Sequence, residues 1–130
     1  MRLYILIALG GALGSVLRFF LSGLFDNHLG GTFPWGILIV NITGSFAIGF
    51  IYTLTDPNGR WFATADTKLF LMTGICGGYT TFSSFSRDTL ILAREGEWLH
   101  AGGNIVGSVV LSLLAVWLGH LLAATINQAR

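Results

Sequence analysis

The sequence predicts an all-α integral membrane protein of four transmembrane helices, the third of them broken. Three observations carry that expectation. Only 10% of the 130 residues are charged and the mean hydropathy is +0.72, whereas about a quarter of a soluble domain is charged. The charges fall between four long apolar stretches, each meeting the ~20 residues that a hydrocarbon core about 30 Å thick requires. The third stretch holds the pair Gly77-Gly78 followed by a row of hydroxyls, an odd content for a helix facing lipid.

The first segment covers residues 3–25 and is interrupted only by Arg18. Arg2 and the uncharged run after it have the look of a secretory signal. The apolar character runs on past Arg18, too far for an h-region of about 7–15 residues, and no convincing small-residue cleavage site follows. A first crossing is the better reading. The second segment, 33–55, contains no charge. The third is uncharged over 69–86, with a helical pattern over 65–94. One continuous helix of that length would overshoot the bilayer. A break near Gly77-Gly78 shortens it into two half-helices. Glycines alone favour a plain tilted helix, because Gly is common in spanning helices. The adjoining Thr80, Thr81, Ser83, Ser84 and Ser86 shift the balance to a break, since backbone freed at membrane depth needs partners in protein, water or an ion.

The fourth segment is 98–126. The connectors are short and carry turn chemistry: Asp26-Asn27-His28 through Pro34, Asp56-Pro57-Asn58-Gly59, and Arg94-Glu95-Gly96-Glu97. Trp35, Trp61 and Trp98 stand beside them, where an interfacial aromatic belt belongs. One transmembrane domain, 1–130, accounts for the chain.

Several functions are disfavoured at once. A net charge of +1 gives no basic field for nucleic acid. The single cysteine, Cys76, forms no intramolecular disulfide and reads as a small buried hydrophobe. Scattered histidines give a zinc site no support. No serine has a nearby His, and Cys76 has no activating partner in sequence, so the chain does not read as an enzyme. No carboxylate sits at the centre of a segment. That speaks against a proton-coupled exporter and against a cation pore lined by acidic rings.

The polar residues that do lie at membrane depth are patterned. Asn104, Ser108 and Ser112 are spaced by four and share one helical face. Asn41 is an amide in the middle of the second segment. These groups serve either as glue between helices or as donors along a polar path. Phe82 and Phe85 lie three apart. They are ordinary packing residues or, because an aromatic edge is positive, weak attractors of an anion. A conducting site must release what it binds, so weak attraction suffices. Arg18 needs snorkelling or a water-filled vestibule, and Asp88 stands beside Arg87.

Small residues recur at spacing four: Gly10 and Gly14, Ser45 and Gly49, Gly103 and Gly107, Ala115 and Gly119. Each pair suits close packing within the chain or a seam with a second copy. Four helices enclose too little space for a pore with its own polar wall, so an oligomer is expected, a two-fold dimer being the commonest solution. Arg2, Arg60, Lys68 and Arg130 fall on one side, and Arg18, Arg87 and Arg94 on the other half. So weak a bias leaves open whether the chain inserts in both orientations.

The run Gly74-Ile-Cys-Gly-Gly-Tyr-Thr-Thr-Phe-Ser-Ser-Phe-Ser resembles the signature of the fluoride channels of the Fluc (CrcB) family. Gly10-Gly11-Ala12-Leu13-Gly14 with Arg18, Val40-Asn41 with Gly44 and Gly49, and the Asn104, Ser108, Ser112 stripe extend the resemblance over the whole chain. It implies an antiparallel, dual-topology homodimer in the bacterial plasma (inner) membrane. Two pores, each built from both subunits, would export cytoplasmic fluoride passively. By the same resemblance the edges of Phe82 and Phe85 contact fluoride, and Asn41 is the pore-facing amide. Ser108 and Ser112 belong to a polar track with Asn104, and Thr81 is a further polar position. The backbone carbonyls of Gly77 and Thr80 would hold a structural sodium ion at the dimer centre. The chain departs from the family pattern at Ser84 (commonly Thr), Tyr79 (commonly Leu) and Arg87-Asp88 (commonly Ala-Glu). The competing readings are a small four-helix secondary transporter of an anion or cationic drug, which would couple flux to a proton gradient, and a non-transporting subunit, which would pass no ion.

Overall fold

A computed structural model describes residues 1–129; Arg130, one of the cations counted above, lies outside them. Helix α1 runs Arg2–Leu29 and α2 Trp35–Leu54. A third run is assembled from pieces: α3 Ala65–Lys68, a π-helical stretch Leu69–Cys76, and α4 Gly77–Tyr79, then α5 Phe82–Arg94 after two non-helical residues. Helix α6 runs Trp98–Gln128. No strand occurs among the described residues.

Helices α1, α2 and α6 are long and apolar enough to cross a membrane. At about 1.5 Å per residue, the 31 residues of α6 exceed the core thickness and the 20 of α2 match it. Large apolar side chains such as Leu13 and Phe19 on α1 and Leu113 and Trp117 on α6 point outward, as lipid-facing surfaces do. The chain is a multi-pass membrane protein.

The helix ends follow from local chemistry. Gly30 and Gly31 take φ of 62° and 84°, a region glycine enters without steric cost, and α1 stops there. Asp26 then reaches over to α2, its Oδ1 accepting from the Gly36 N–H at 2.7 Å. An acid at a helix N-terminus satisfies a free donor and complements the dipole. Between α5 and α6, Gly96 has φ 80°. The Glu97 N–H returns to the Leu92 carbonyl at 2.9 Å and the Gly96 N–H to Ala93 at 3.2 Å, the Schellman pattern that closes a helix.

Packing is backbone to backbone at two seams. A Cβ at Gly49 would strike the Val116 carbonyl, and one at Gly119 the Phe46 carbonyl, so α2 and α6 touch along their length. Gly10 and Gly14 abut Gly74, Ile75 and Tyr79 in the same way, which lays α1 along residues 69–79. Gly49, Gly119, Gly10 and Gly14 are therefore spent on contacts within the chain. Gly107 has nothing near its Cβ position and Gly103 only the Phe33 ring at 3.8 Å.

Gly77 and Gly78 are helical. The residues with extended dihedrals are Thr80 (φ −80°, ψ 154°) and Thr81 (φ −152°, ψ 120°), two positions beyond the glycine pair. The reason is local. β-Branched Thr accepts extended backbone readily, and the Thr81 hydroxyl caps α5 by accepting the Ser84 N–H at 3.2 Å. Gly78 serves packing instead, since a Cβ there would meet the Gly11 backbone on α1.

Candidate functional site

Two extended residues at this depth release backbone groups that a helix would have paired. Side chains from α1 and α2 take them up. Asn41 on α2 lays its amide along Thr81: its Nδ2 donates to the Thr81 carbonyl at 3.0 Å, and its Oδ1 accepts the Thr81 N–H at 2.8 Å. The Ser15 hydroxyl donates to the Gly78 carbonyl and the Arg18 guanidinium to the Thr80 carbonyl, each at 3.4 Å. Thr80 closes its own helix end, its N–H and its hydroxyl both donating to the Cys76 carbonyl at 3.0 Å. Tyr79, adjacent to the junction, is buried and its phenol meets the Thr43 hydroxyl at 2.9 Å.

A cleft of about 390 Å³ opens beside the junction. Asn41 lines it from α2. Gly77, Thr80, Thr81, Phe82 and Phe85 line it from the third run, and Ser108 and Ser112 from α6. No charged residue is among its lining. The rings of Phe82 and Phe85 lie 5.1 Å apart at 51°, the tilted arrangement that brings an edge toward a face. Phe85 is 8% exposed and Phe82 76%, so one ring is fixed in the chain and the other stands open.

Asn104 stands apart from the cleft. It is 1% exposed, donating through Nδ2 to the Thr89 hydroxyl at 2.9 Å and accepting at Oδ1 from Ser108 at 3.3 Å. Thr89 in turn donates to the Phe85 carbonyl at 2.8 Å. This chain of bonds ties α5 to α6 behind Phe85. Sequence reasoning missed Thr89, Ser15 and Thr43. For two of them the signal was spacing: Thr89 is four residues after Phe85, whose carbonyl it meets, and Ser15 is three before Arg18, on one face of α1.

On the other side of the junction lies a wider chamber of about 1250 Å³, lined by Arg18, Asp26, Ser84, Arg87 and Asp88 among others. Arg18 thus lines a roomy cavity. The Asp88 Oδ1 accepts from Arg87 Nε at 2.9 Å and Nη2 at 2.7 Å.

The donor set near Gly77 suits a hard monovalent cation. The Thr81 N–H, which a continued helix would return to the Gly77 carbonyl, is taken by Asn41. Gly77 itself is open, the nearest atom to its Cβ position being the Met72 carbonyl oxygen at 3.7 Å. The Thr80 carbonyl holds only the long Arg18 contact. Carbonyl oxygens at an unwound helix are the ligands such ions take. Among the described residues no group of three or more His, Cys, Asp or Glu could hold a metal.

The fold and site together define an all-α multi-pass membrane protein with an uncharged cleft beside Thr80 and Thr81. The chain belongs to the CrcB-like family: a family model described as CrcB-like protein, Camphor Resistance (CrcB) matches residues 5–120. It is 61% identical over 130 residues to a protein of Opitutus terrae named fluoride-specific ion channel FluC, covering 100% of this chain and 98% of that one. A protein of the same name from Rhodospirillum rubrum is 56% identical over 125 residues, covering 96% and 97%. Another, from Paramagnetospirillum magneticum, is 55% identical over 128 residues, covering 98% and 100%.

Proposed function

We propose that the chain is a fluoride channel and that fluoride passes along the cleft beside Thr80 and Thr81. The observation that carries this reading is the cleft's lining: a few polar groups, Asn41, Ser108 and Ser112 among them, set between apolar side chains and two aromatic rings, with no fixed charge. Fluoride is small and strongly hydrated. A path for it must replace its water with donors without trapping it. Asn41 spends one N–H and one lone pair on Thr81 and keeps a second N–H. Ser112 adds a hydroxyl, Ser108 adds one that turns from Asn104 to donate, and the edges of Phe82 and Phe85 add weak positive potential. A lysine or arginine at the same depth would hold the ion instead of passing it.

The working unit of this proposal is an antiparallel homodimer with two pores. The exposure of Phe82 and the open surface over Gly77 and Gly107 support it, because a second copy would cover them. The near balance of cations on the two sides supports opposite orientations of the two copies. The carbonyls of Gly77 and Thr80 from both copies would hold a sodium ion, which supplies a fixed positive charge at the centre. The setting is the bacterial inner membrane and the role is passive export.

The test is efflux from liposomes containing the purified protein, followed with a fluoride electrode. Fluoride should leave, chloride should stay, and an imposed proton gradient should not change the rate. Flux that follows the proton gradient would replace the channel with the secondary transporter, and absence of flux would overturn both.

A further inference from the structure

The large chamber on the far side of the junction carries two acids and two cations, and their partners are unequal. Asp26 is held at the N-terminus of α2 by the Gly36 N–H at 2.7 Å, so its charge is set against a helix dipole. The Arg18 guanidinium contacts a neutral carbonyl, that of Thr80. Asp88 has a side chain only 13% exposed, and Arg87, 66% exposed, lies across it with two N–H groups on the one oxygen Oδ1. Neighbours one apart on a helix do not face each other. The contact forms because the arginine stem is long enough to fold back over the shorter acid. Asp88 and Ser84 look into the chamber while Phe82 and Phe85 look into the cleft, so one helix, α5, serves both spaces.

Resting on the fluoride reading above, we infer that the chamber is the approach to the cleft, the two spaces being joined by α5, and that Arg87 is a conductance-determining residue: by covering Asp88 it keeps the chamber from repelling anions. With Arg87 in place, Arg18 remains as a cation without a carboxylate partner, and the chamber favours anions. Without Arg87, one cation faces two carboxylates, one of them uncovered. A confined mouth focuses such a field on its traffic. The effect is electrostatic, so it is screened by salt, the Debye length falling from ~30 Å at about 10 mM to ~3 Å at about 1 M.

The experiment is fluoride efflux from liposomes at these two ionic strengths, set with an impermeant salt. Arg87→Ala should slow efflux about three- to ten-fold at low salt and match the wild type at high salt. Arg87→Ala/Asp88→Asn should return to within about two-fold of the wild type, and Arg87→Lys should retain most of the rate. The inference is overturned if Arg87→Ala equals the wild type at low salt. It is overturned equally by a loss that persists at high salt and in the double variant, which would mark a packing role. A wild type that passes no fluoride removes the channel reading itself, whereas a conducting wild type with an indifferent Arg87 removes this inference alone.

Discussion

The seam between α2 and α6 and the junction at Thr80 and Thr81 are built by opposite means. The seam is held by shape. Gly49 and Gly119 let the two backbones touch, and dispersion over a long contact supplies the adhesion, as expected where lipid removes the hydrophobic drive between helices. The junction is held by addressed hydrogen bonds. Asn41, Ser15 and Arg18 each serve freed backbone groups. The seam tolerates no added bulk, and its side-chain hydrogen bonds gather at one end, where the Thr53 hydroxyl meets His120 Nδ1 at 2.8 Å and Asn127 Nδ2 donates to the Thr53 carbonyl at 2.9 Å. The junction depends on single atoms, and it is where a path for an ion can pass, because its backbone is already turned away from helical pairing.

Gly119→Val should break the seam most severely. Its side chain would occupy the space of the Phe46 carbonyl and the Phe50 N–H. A cost of about 3 kcal/mol or more is expected from such overpacking, seen as loss of the monodisperse peak on size exclusion or a large drop in its thermal midpoint. Gly107→Ala on the same helix meets open space and should leave the thermal stability of the isolated subunit unchanged. If both behave alike, the seam is not where the helices are registered.

Asn41→Leu should break the junction next. It strands the Thr81 N–H and carbonyl, at about 1–3 kcal/mol for each unsatisfied buried group. The expected result is a destabilisation of roughly 2–4 kcal/mol together with near-complete loss of fluoride flux. Intact stability in a melting experiment would mean that water replaces the amide and that the side chain is not structural.

Ser112→Ala sharpens the contrast at the smallest cost. Ser112 lines the cleft without a role in the hydrogen bonds that hold the junction. Stability should change by less than about 0.5 kcal/mol, while fluoride efflux slows. A stability loss with no change in efflux would make the serine stripe an adhesive between helices.

What the sequence discloses depends on range. Membrane class and helix placement are visible because apolar runs and charged connectors are local facts. The crowding of Phe82, Phe85 and the hydroxyls into one segment is visible for the same reason. Sequence alone puts the interruption near Gly77-Gly78, because a glycine pair is the strongest local breaker, and the extended residues are Thr80 and Thr81 just beyond it. Gly78 is needed for contact with Gly11 on α1, which no local pattern reveals. Asn104 shares a helical face with Ser108 and Ser112, yet periodicity does not say which of three residues meets a neighbour. Thr89, fifteen positions away in the chain, decides that Asn104 faces inward.

The central claim is that the ring pair beside the junction guides fluoride and does not merely fill space. Replacing Phe82 and Phe85 together with isoleucine keeps apolar bulk and removes the positive ring edges. Fluoride-electrode recordings on liposomes carrying this variant should show efflux abolished, with the protein still eluting at the wild-type position on size exclusion. Efflux at the wild-type rate would contradict it.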